Sequence, residues 1–455
     1  MNTMENGNPA RDTTETAHGS SEKKSFYQIK TYLPGDLFSA KTLRKGIVPL
    51  IDQAIVSTTN FLTSVIVGRA CSKEQFGLYM LGWSIVLFVT SLQESLISMP
   101  YMVYVPRFKT RERRYQFTGS TLVHQMGLGV LTAIVLAVSG MILSFGFGPR
   151  DLADVVWALV VTVVFILMRQ YARRISFANL QFTTALFLDL TVAVIQISGL
   201  LLLSYLGLLS ASHVYLVAGL SCCIAAGFWI VKNRNTIAIQ FSKVISDLGH
   251  NWSLGKWVFG SGLLWAFRTQ MFPWVLATFH GTAATGVLAA CIGVVSIGNP
   301  VILGLQNYLG PKITHSFANQ HVKALRRFVI KASVIYSCLI IPFLVILILL
   351  GGRLVTLLYG YKYSGNGFVV VVLAVNLIVS VIVFPFIRAL FTIEYAHIDF
   401  IVNIGMLFIM FTIGFWLIKS FGPLGAAYGM LVTNGLSSAV KITVFLFLSR
   451  SHDGK

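Results

Sequence analysis

Long apolar runs alternate with short polar segments along most of this chain. Twelve such runs begin near residues 47, 77, 118, 151, 184, 211, 257, 283, 328, 366, 398 and 424. Crossing a bilayer core takes about 20 apolar residues as a helix, and lipid offers no hydrogen-bond partner to an open strand. The connections carry Gly, Pro or charged residues, as in GFGPRD at 146–151. The pattern predicts an all-α polytopic membrane protein with twelve transmembrane helices.

Composition excludes a soluble globular protein. Of the 455 residues, 55% are hydrophobic and 11% charged, and the mean hydropathy is +0.75. The net charge of +19 would suggest a nucleic-acid partner in a soluble protein. In a membrane protein, cationic loops retained on the cytoplasmic side explain it, so no nucleic-acid partner is expected.

The positions of the basic residues predict the orientation. Once the runs are numbered, 27 Lys and Arg fall on one face and six on the other, which leaves only Arg268 and Lys441 inside helices. Both termini should therefore be cytoplasmic, in a multi-pass plasma (bacterial inner) membrane protein with an even number of spans. The expected segments are a disordered basic cytoplasmic tail (1–45), a six-helix lobe (46–231), a cytoplasmic linker (232–256), a second six-helix lobe (257–449) and a cytoplasmic tail (450–455).

Motifs for catalysis or metal binding are missing from the sequence. The five cysteines form no CxxC pair and have no His at ligand spacing, so they are interpreted as packing residues and no metal or cofactor is predicted. No Walker loop, nucleophile elbow or paired-carboxylate motif is present either. The chain is predicted not to be an enzyme and to have no catalytic residues.

The second half weakly repeats the first at a shift of about 205 to 215 residues. Gly77 aligns with Gly286, YVPRF at 104–108 aligns with LGPKI at 309–313, and the segment from Tyr205 aligns without gaps with that from Ser420. Six spans in each half make the repeat parallel. The two lobes should be related by a pseudo-twofold axis along the membrane normal, with a substrate cavity between them.

Four segments carry a resemblance to a known family. They are RACSKEQFGLYML (69–81), GTAATGVLAACIGVV (281–295), GGRLVTLLYGYKYSG (351–365) and FGPLGAAYGMLVTN (421–434). Together they resemble the multidrug/oligosaccharidyl-lipid/polysaccharide exporter superfamily, and most closely its polysaccharide transporter branch of O-antigen flippase-like proteins. The motifs are loose and do not specify a substrate.

The resemblance implies a monomeric transport unit that works by alternating access. It implies translocation of a polyprenyl-pyrophosphate-linked oligosaccharide from the inner to the outer leaflet, in cell-surface polysaccharide biosynthesis. Glycan polymerase and glycosyltransferases are the protein partners such a role would involve. The alternatives are a cation-coupled small-molecule (drug) antiporter of the same superfamily and a non-transporting scaffold for glycan assembly.

Arg268 lies eleven residues from both Trp257 and Phe279 and therefore near the bilayer midplane. Arginine there costs about 2.5–3.5 kcal/mol on insertion scales, so a hydrated or paired position is expected. It could line the cavity and bind pyrophosphate or an acidic sugar, or form a permanent ion pair with an acid on another helix. The cavity is preferred, because the resemblance implies that the first and seventh helices line it.

Further polar residues inside the runs complete the candidate site. Asn60, Gln125 and Gln270 are predicted to line the cavity, with hydrogen bonding between helices as the alternative. Asp52, Glu94, Asp189 and Lys441 are candidates for gating or for coupling to H⁺ or Na⁺, with ion pairing or solvation as the alternative. Pro273 is a candidate hinge in the seventh run. Arg107, Arg113, Arg114, Arg173 and Arg174 are predicted to form a basic face at the inner leaflet, unless they only fix topology.

Overall fold

A computed structural model describes residues 40–149, 151–393 and 395–451, and all regular structure in these ranges is helical. The α-helices are α1 (Ala40–Ala70), α2 (Lys73–Gln93), α3 (Met99–Tyr104), α4 (Arg111–Ser144), α5 (Leu152–Ala178), α6 (Phe182–Tyr205), α7 (Ala211–Asn233), α8 (Phe241–Val295), α9 (Asn299–Tyr359), α10 (Gly367–Thr392), α11 (Ala396–Ile409) and α12 (Phe415–Ser451). Within these ranges, ten helical segments are long and apolar enough to cross a membrane. The chain is therefore an all-helical, multi-pass membrane protein.

Two of the ten segments each contain two of the predicted apolar runs. The backbone leaves the helical conformation inside Gly262–Gly298 at Gly281 (φ 77°, ψ 173°) and inside His397–Ser449 at Gly422 (φ 56°, ψ −130°). Glycine adopts these positive φ values without the steric penalty of a Cβ. The ten segments thereby cover all twelve runs that the sequence predicts.

Residues 48–451 belong to one compact unit. Residues 1–39 of the predicted tail and residues 452–455 lie outside the described residues, while residues 40–47 are helical. The predicted linker, 232–256, contains the end of α7, a 3₁₀ turn (Arg234–Thr236) and the first turns of α8. The other segment boundaries stay predictions.

Helices α2 and α8 cross backbone to backbone at two glycines. A Cβ on Gly77 would lie 1.8 Å from the carbonyl oxygen of Thr282, and a Cβ on Gly286 would lie 2.2 Å from that of Lys73. Thr282 lies four residues before Gly286, and Lys73 lies four residues before Gly77. The contact therefore has the same form from both helices. Only residues without a Cβ permit such an approach. The two positions that the sequence repeat aligns therefore meet in the fold.

Candidate functional site

A cavity of about 830 Å³ lies between the N-terminal half (48–231) and the C-terminal half (257–449). It is lined by α1, α2, α8, α9 and α12. Its amide and hydroxyl groups come mainly from Gln53, Ser57, Asn60, Thr269, Gln270 and Asn299. No side chain that lines it carries a formal charge, within the part of the chain that the structure describes. The cavity suits a ligand rich in hydrogen-bonding groups.

Asn60 and Gln270 both line this cavity, from α1 and α8 respectively. They lie 210 positions apart (270 − 60), a separation within the range of the sequence repeat. Pro273 lines the cavity one turn beyond Gln270, and the surrounding backbone of α8 keeps helical φ and ψ up to Gly281. The hinge role of Pro273 stays a prediction.

Arg268 does not line the cavity, contrary to the sequence-based expectation. Its side chain is 5% exposed and donates from Nη1 to Oδ1 of Asn434 (3.1 Å), and Asn434 donates to Oδ1 of Asn376 (2.9 Å). The Nε of Arg268 has no hydrogen-bond partner among the described residues. Each helical residue is rotated by about 100° from the last, so Thr269 and Gln270 face the cavity while Arg268 faces α12. Depth follows from sequence position, but the direction of a side chain depends on helix rotation.

The fourth predicted cavity residue is also buried elsewhere. Gln125 on α4 is 2% exposed and lines neither this cavity nor the smaller one beside Arg173. Its depth in the membrane gave no indication of which helix it would face.

The two halves are joined at the predicted outer end of the cavity. The hydroxyl groups of Tyr359 and Ser64 lie 3.0 Å apart, and Nη2 of Arg69 donates to the carbonyl of Leu357 (2.7 Å). Lys362 donates to the carbonyls of Arg69 (3.2 Å) and Cys71. Burial raises the pKa of the Cys71 thiol to about 11 and lowers the pKa of Lys362. These contacts join the two halves at this end of the cavity.

Four ionisable side chains form a buried network in the N-terminal half, here called the N-terminal charge cluster. Arg173 bridges two acids, with 2.6 Å from Nη2 to Oδ2 of Asp52 and 2.6 Å from Nε to Oδ2 of Asp189. Arg169 also pairs with Asp189. Two carboxylates thus balance two guanidinium groups. Arg173 is 8% exposed, so it belongs to this network rather than to the predicted surface face.

A second cavity, of about 260 Å³, lies beside this network. Arg169, Arg173 and Asp189 line it, and it shares Gln53 and Asn60 with the central cavity. The N-terminal charge cluster therefore faces a side chamber next to the central cavity. Arg173 thus joins Asp52 and Asp189, both predicted gating residues. The sequence analysis had assigned Arg173 to the basic face at the inner leaflet.

The C-terminal half contains a different group, here called the C-terminal polar cluster. Lys441 pairs with Asp399 (Nζ to Oδ1, 2.6 Å), which also accepts a hydrogen bond from Asn403 (3.0 Å). Asp399 attracts Arg268 electrostatically, but no salt bridge joins them in the described structure. The cluster also includes the hydrogen-bonded series Arg268–Asn434–Asn376. It therefore contains one carboxylate, that of Asp399, and two cations, Lys441 and Arg268. Its formal charge is +1.

The remaining predicted residues lie near the helix ends that carry most of the basic residues. Glu94 begins a π-helical turn (Glu94–Ser98) that interrupts the second run, and it pairs with Arg174 (3.0 Å). Such turns often occur at functional sites. Of the predicted basic face, Arg107 and Arg114 are exposed, whereas Arg113 pairs with Asp247. Only part of the basic face is thus available at the surface.

Several residues of these clusters were not identified from the sequence. They are Asn376, Asp399, Asn403, Asn434 and Asp247. The sequence feature that could have revealed this cluster is the pair Asp399 and Asn403. They are polar residues four positions apart in an apolar run, and this spacing puts both on one helix face.

Residues 107–366 match the model of a protein family described as "Polysaccharide biosynthesis protein". No curated protein sequence matches the chain. Solved structures with a similar fold include an inward-facing multidrug resistance MATE family transporter of the MOP superfamily (TM-score 0.74, 13% identity, 88% of this chain and 96% of that one). An outward-facing MATE family transporter gives a TM-score of 0.62 at 14% identity, covering 91% and 96%. The lipid II flippase MurJ, in an inward closed conformation, gives 0.68 at 14% identity, covering 88% and 89%.

Proposed function

We propose that this chain, which belongs to the family described as "Polysaccharide biosynthesis protein", is a transporter of the polysaccharide transporter branch of the MOP superfamily. Its fold resembles those of a MATE family transporter and of the lipid II flippase MurJ. In this role it moves a lipid-linked oligosaccharide across the membrane. The substrate would be a polysaccharide repeat unit on a polyprenyl pyrophosphate, carried from the inner to the outer leaflet by alternating access. This transport would serve cell-surface polysaccharide biosynthesis.

The proposed architecture is twelve spans in two six-helix lobes, with both termini cytoplasmic. The glycines at 281 and 422 support the span count, since each interrupts a segment that contains two apolar runs. The reciprocal contact of Gly77 and Gly286 supports a pseudo-twofold axis between the lobes, because an axis of this kind brings equivalent residues together.

The central cavity is the observation that carries this proposal. Sugar hydroxyls both donate and accept hydrogen bonds, as do the amides of Asn60 and Gln270. Small-molecule sites typically combine an apolar wall with a few convergent polar groups. A drug antiporter that bound a cation directly would instead be expected to have an acid in this cavity, and the described lining has none.

The contacts between the halves at the predicted outer end, and the higher TM-score to the inward- than to the outward-facing MATE structure, support an inward-facing conformation. Arg268 would contact the pyrophosphate at another stage of the transport cycle, when a phosphate oxygen replaces the amide oxygen of Asn434 as its hydrogen-bond partner. The excess positive charge of the C-terminal polar cluster favours this role, since an anionic ligand would balance it. We propose that Asp52, Glu94, Asp189 and Lys441 act in gating or in coupling transport to H⁺ or Na⁺. All four are ion-paired in this conformation.

Reconstituted vesicles test the proposal. A fluorescent lipid-linked oligosaccharide is placed in the leaflet that the cytoplasmic face contacts, and its arrival in the other leaflet is followed with a membrane-impermeant quencher. Transfer should be faster than in protein-free vesicles. It should be slowed by Asn60→Leu and Gln270→Leu, and unchanged by Ser139→Leu, a matched polar-to-apolar change at a half-buried position of α4 that does not line the cavity. Absence of transfer, together with export of a cationic dye under a proton gradient, would support the antiporter instead.

A further inference from the structure

The first three turns of α8, residues 241–252, have inverted amphipathicity. Asp247 and Asn251, at 0% and 1% exposure, face the protein. On the other side, Phe241, Ile245, Leu248 and Trp252 are 76%, 81%, 51% and 53% exposed. Their spacing of 4, 3 and 4 residues forms one stripe along a helix. A helix on a water-exposed surface shows the opposite pattern, so something apolar must cover this stripe.

The inward side of this segment is fixed to α4 by polar contacts. Asp247 pairs with Arg113, and Lys243 donates to Oε1 of Gln116 (2.6 Å). His124 contacts both the carbonyl of Val244 (2.9 Å) and the amide of Asn251 (3.4 Å). These contacts hold the helix in one rotation, with the apolar stripe pointing away from α4.

The contacts with α4 place this segment at the predicted membrane boundary, since Arg113 and Gln116 precede the apolar run of α4 and His124 lies within it. The apolar run of α4 begins near residue 118, and His124 lies six residues further along. At 1.5 Å per residue, His124 is about 9 Å inside that boundary. Amphipathic interfacial helices bury their apolar face about 5–10 Å into the region between headgroups and acyl chains.

We propose that residues 241–252 form an interfacial helix whose apolar stripe is covered by lipid of the leaflet that the basic loops contact. The headgroup chemistry is anionic. Exposed Lys232 and Arg234 lie just before the helix, and exposed Arg107 and Arg114 lie beside the start of α4. Each basic residue near an anionic surface contributes about 1 kcal/mol of attraction. Since this segment joins the two halves, lipid contact anchors the connection between them.

Nitroxide accessibility in vesicles tests the lipid contact on the full chain. Single spin labels at Ile245→Cys and Leu248→Cys, in a background without native cysteines, are compared with Val135→Cys on the exposed apolar surface of α4 and with Lys109→Cys in an exposed loop. We expect the two helix labels to resemble the label at 135, with high accessibility to oxygen and low accessibility to a water-soluble nickel chelate.

Two results would overturn the proposal. Nickel accessibility equal to that at position 109 would place the stripe in water. Exclusion of both probes would show that protein, either a second copy or another chain, covers it. The anionic component has its own measurement, because adding phosphatidylglycerol to phosphatidylcholine vesicles should deepen the labels in the parent chain. This deepening should be reduced in Lys232→Gln/Arg234→Gln. An equal depth in both vesicle types would rule out the anionic headgroup. None of these readouts depends on transport.

Discussion

The two halves of this protein bury charge in opposite ways. In the N-terminal charge cluster, Asp52 and Asp189 are matched by Arg169 and Arg173, and three salt bridges join them. In the C-terminal polar cluster, Lys441 forms the salt bridge to Asp399, and among the described residues Arg268 has one hydrogen-bond partner, the amide oxygen of Asn434. A buried charge is costly unless it is paired. The first cluster is therefore complete within the protein, while the second lacks one negative charge.

The difference indicates different roles. A balanced network holds helices together and loses its balance if one member is removed. An unbalanced cation in the membrane costs free energy and needs a compensating function, such as attracting an anionic ligand. The variants below test this contrast in order of expected effect.

Removing Arg173 should give the largest loss of stability. Arg173→Met leaves the buried Asp52 without its salt bridge and weakens the pairing of Asp189. Breaking a buried pair in this way costs about 3–5 kcal/mol. Thermal unfolding in detergent measures the loss. Arg174→Met is the matched control, because Arg174 and Glu94 are 33% and 28% exposed and a pair of that kind contributes roughly 0–1 kcal/mol. Equal losses in the two variants would contradict a special role for the cluster.

Arg268→Met should leave the free energy of unfolding unchanged or raise it, because the change removes an unpaired charge and strands no carboxylate. Transport of the lipid-linked substrate should fall at least about tenfold, since a hydrogen bond to a charged group contributes roughly 1.5–3 kcal/mol. Arg268→Lys should recover part of the rate, because it keeps the charge but not the planar fork. Normal transport by Arg268→Met would exclude the substrate role. A stability loss as large as that of Arg173→Met would show that Arg268 is structural.

Lys441→Met should destabilise the protein less than Arg173→Met does. Asp399 loses its salt bridge in this variant, but Arg268 already attracts it and can take the place of Lys441. The double variant Lys441→Met/Arg268→Met should then lose more stability than the sum of the single changes, with a coupling of about 0.5–3 kcal/mol. Unfolding measurements on the four members of this cycle give the coupling directly. Additive losses would show that Arg268 does not reach Asp399.

We expect the smallest effect from a change at the contacts of Lys362 with Arg69 and Cys71, away from both clusters. Cys71 is 5% exposed and its pKa is raised to about 11. Because the thiolate is the reactive form, alkylation of a chain with Cys71 as its sole cysteine should be slow at pH 7 and rise about tenfold per pH unit. Lys362→Ala removes two contacts between the halves and should speed the reaction several-fold. Arg268→Met should not change the alkylation rate of Cys71. Faster alkylation in that variant would mean that the C-terminal polar cluster controls the contacts between the halves near Cys71.

Much of the fold could be predicted from the pattern of apolar residues. The described helices contain all twelve predicted runs, and the repeat identified the glycines at 77 and 286 that meet between α2 and α8. The candidate site was predicted less completely. Asn60 and Gln270 line the cavity, whereas Arg268 and Gln125 do not in this conformation.

The sequence by itself determined where each helix lies along the chain and predicted how deep each charge sits in the membrane, because apolar length and the 1.5 Å rise per residue depend only on position along the chain. The tertiary structure alone decided which charges meet. Rotation of α5 turned Arg173 from the expected surface face toward Asp52 and Asp189, and rotation of α8 turned Arg268 toward Asn434. These rotations are fixed by packing among helices far apart in the chain, which no local pattern contains.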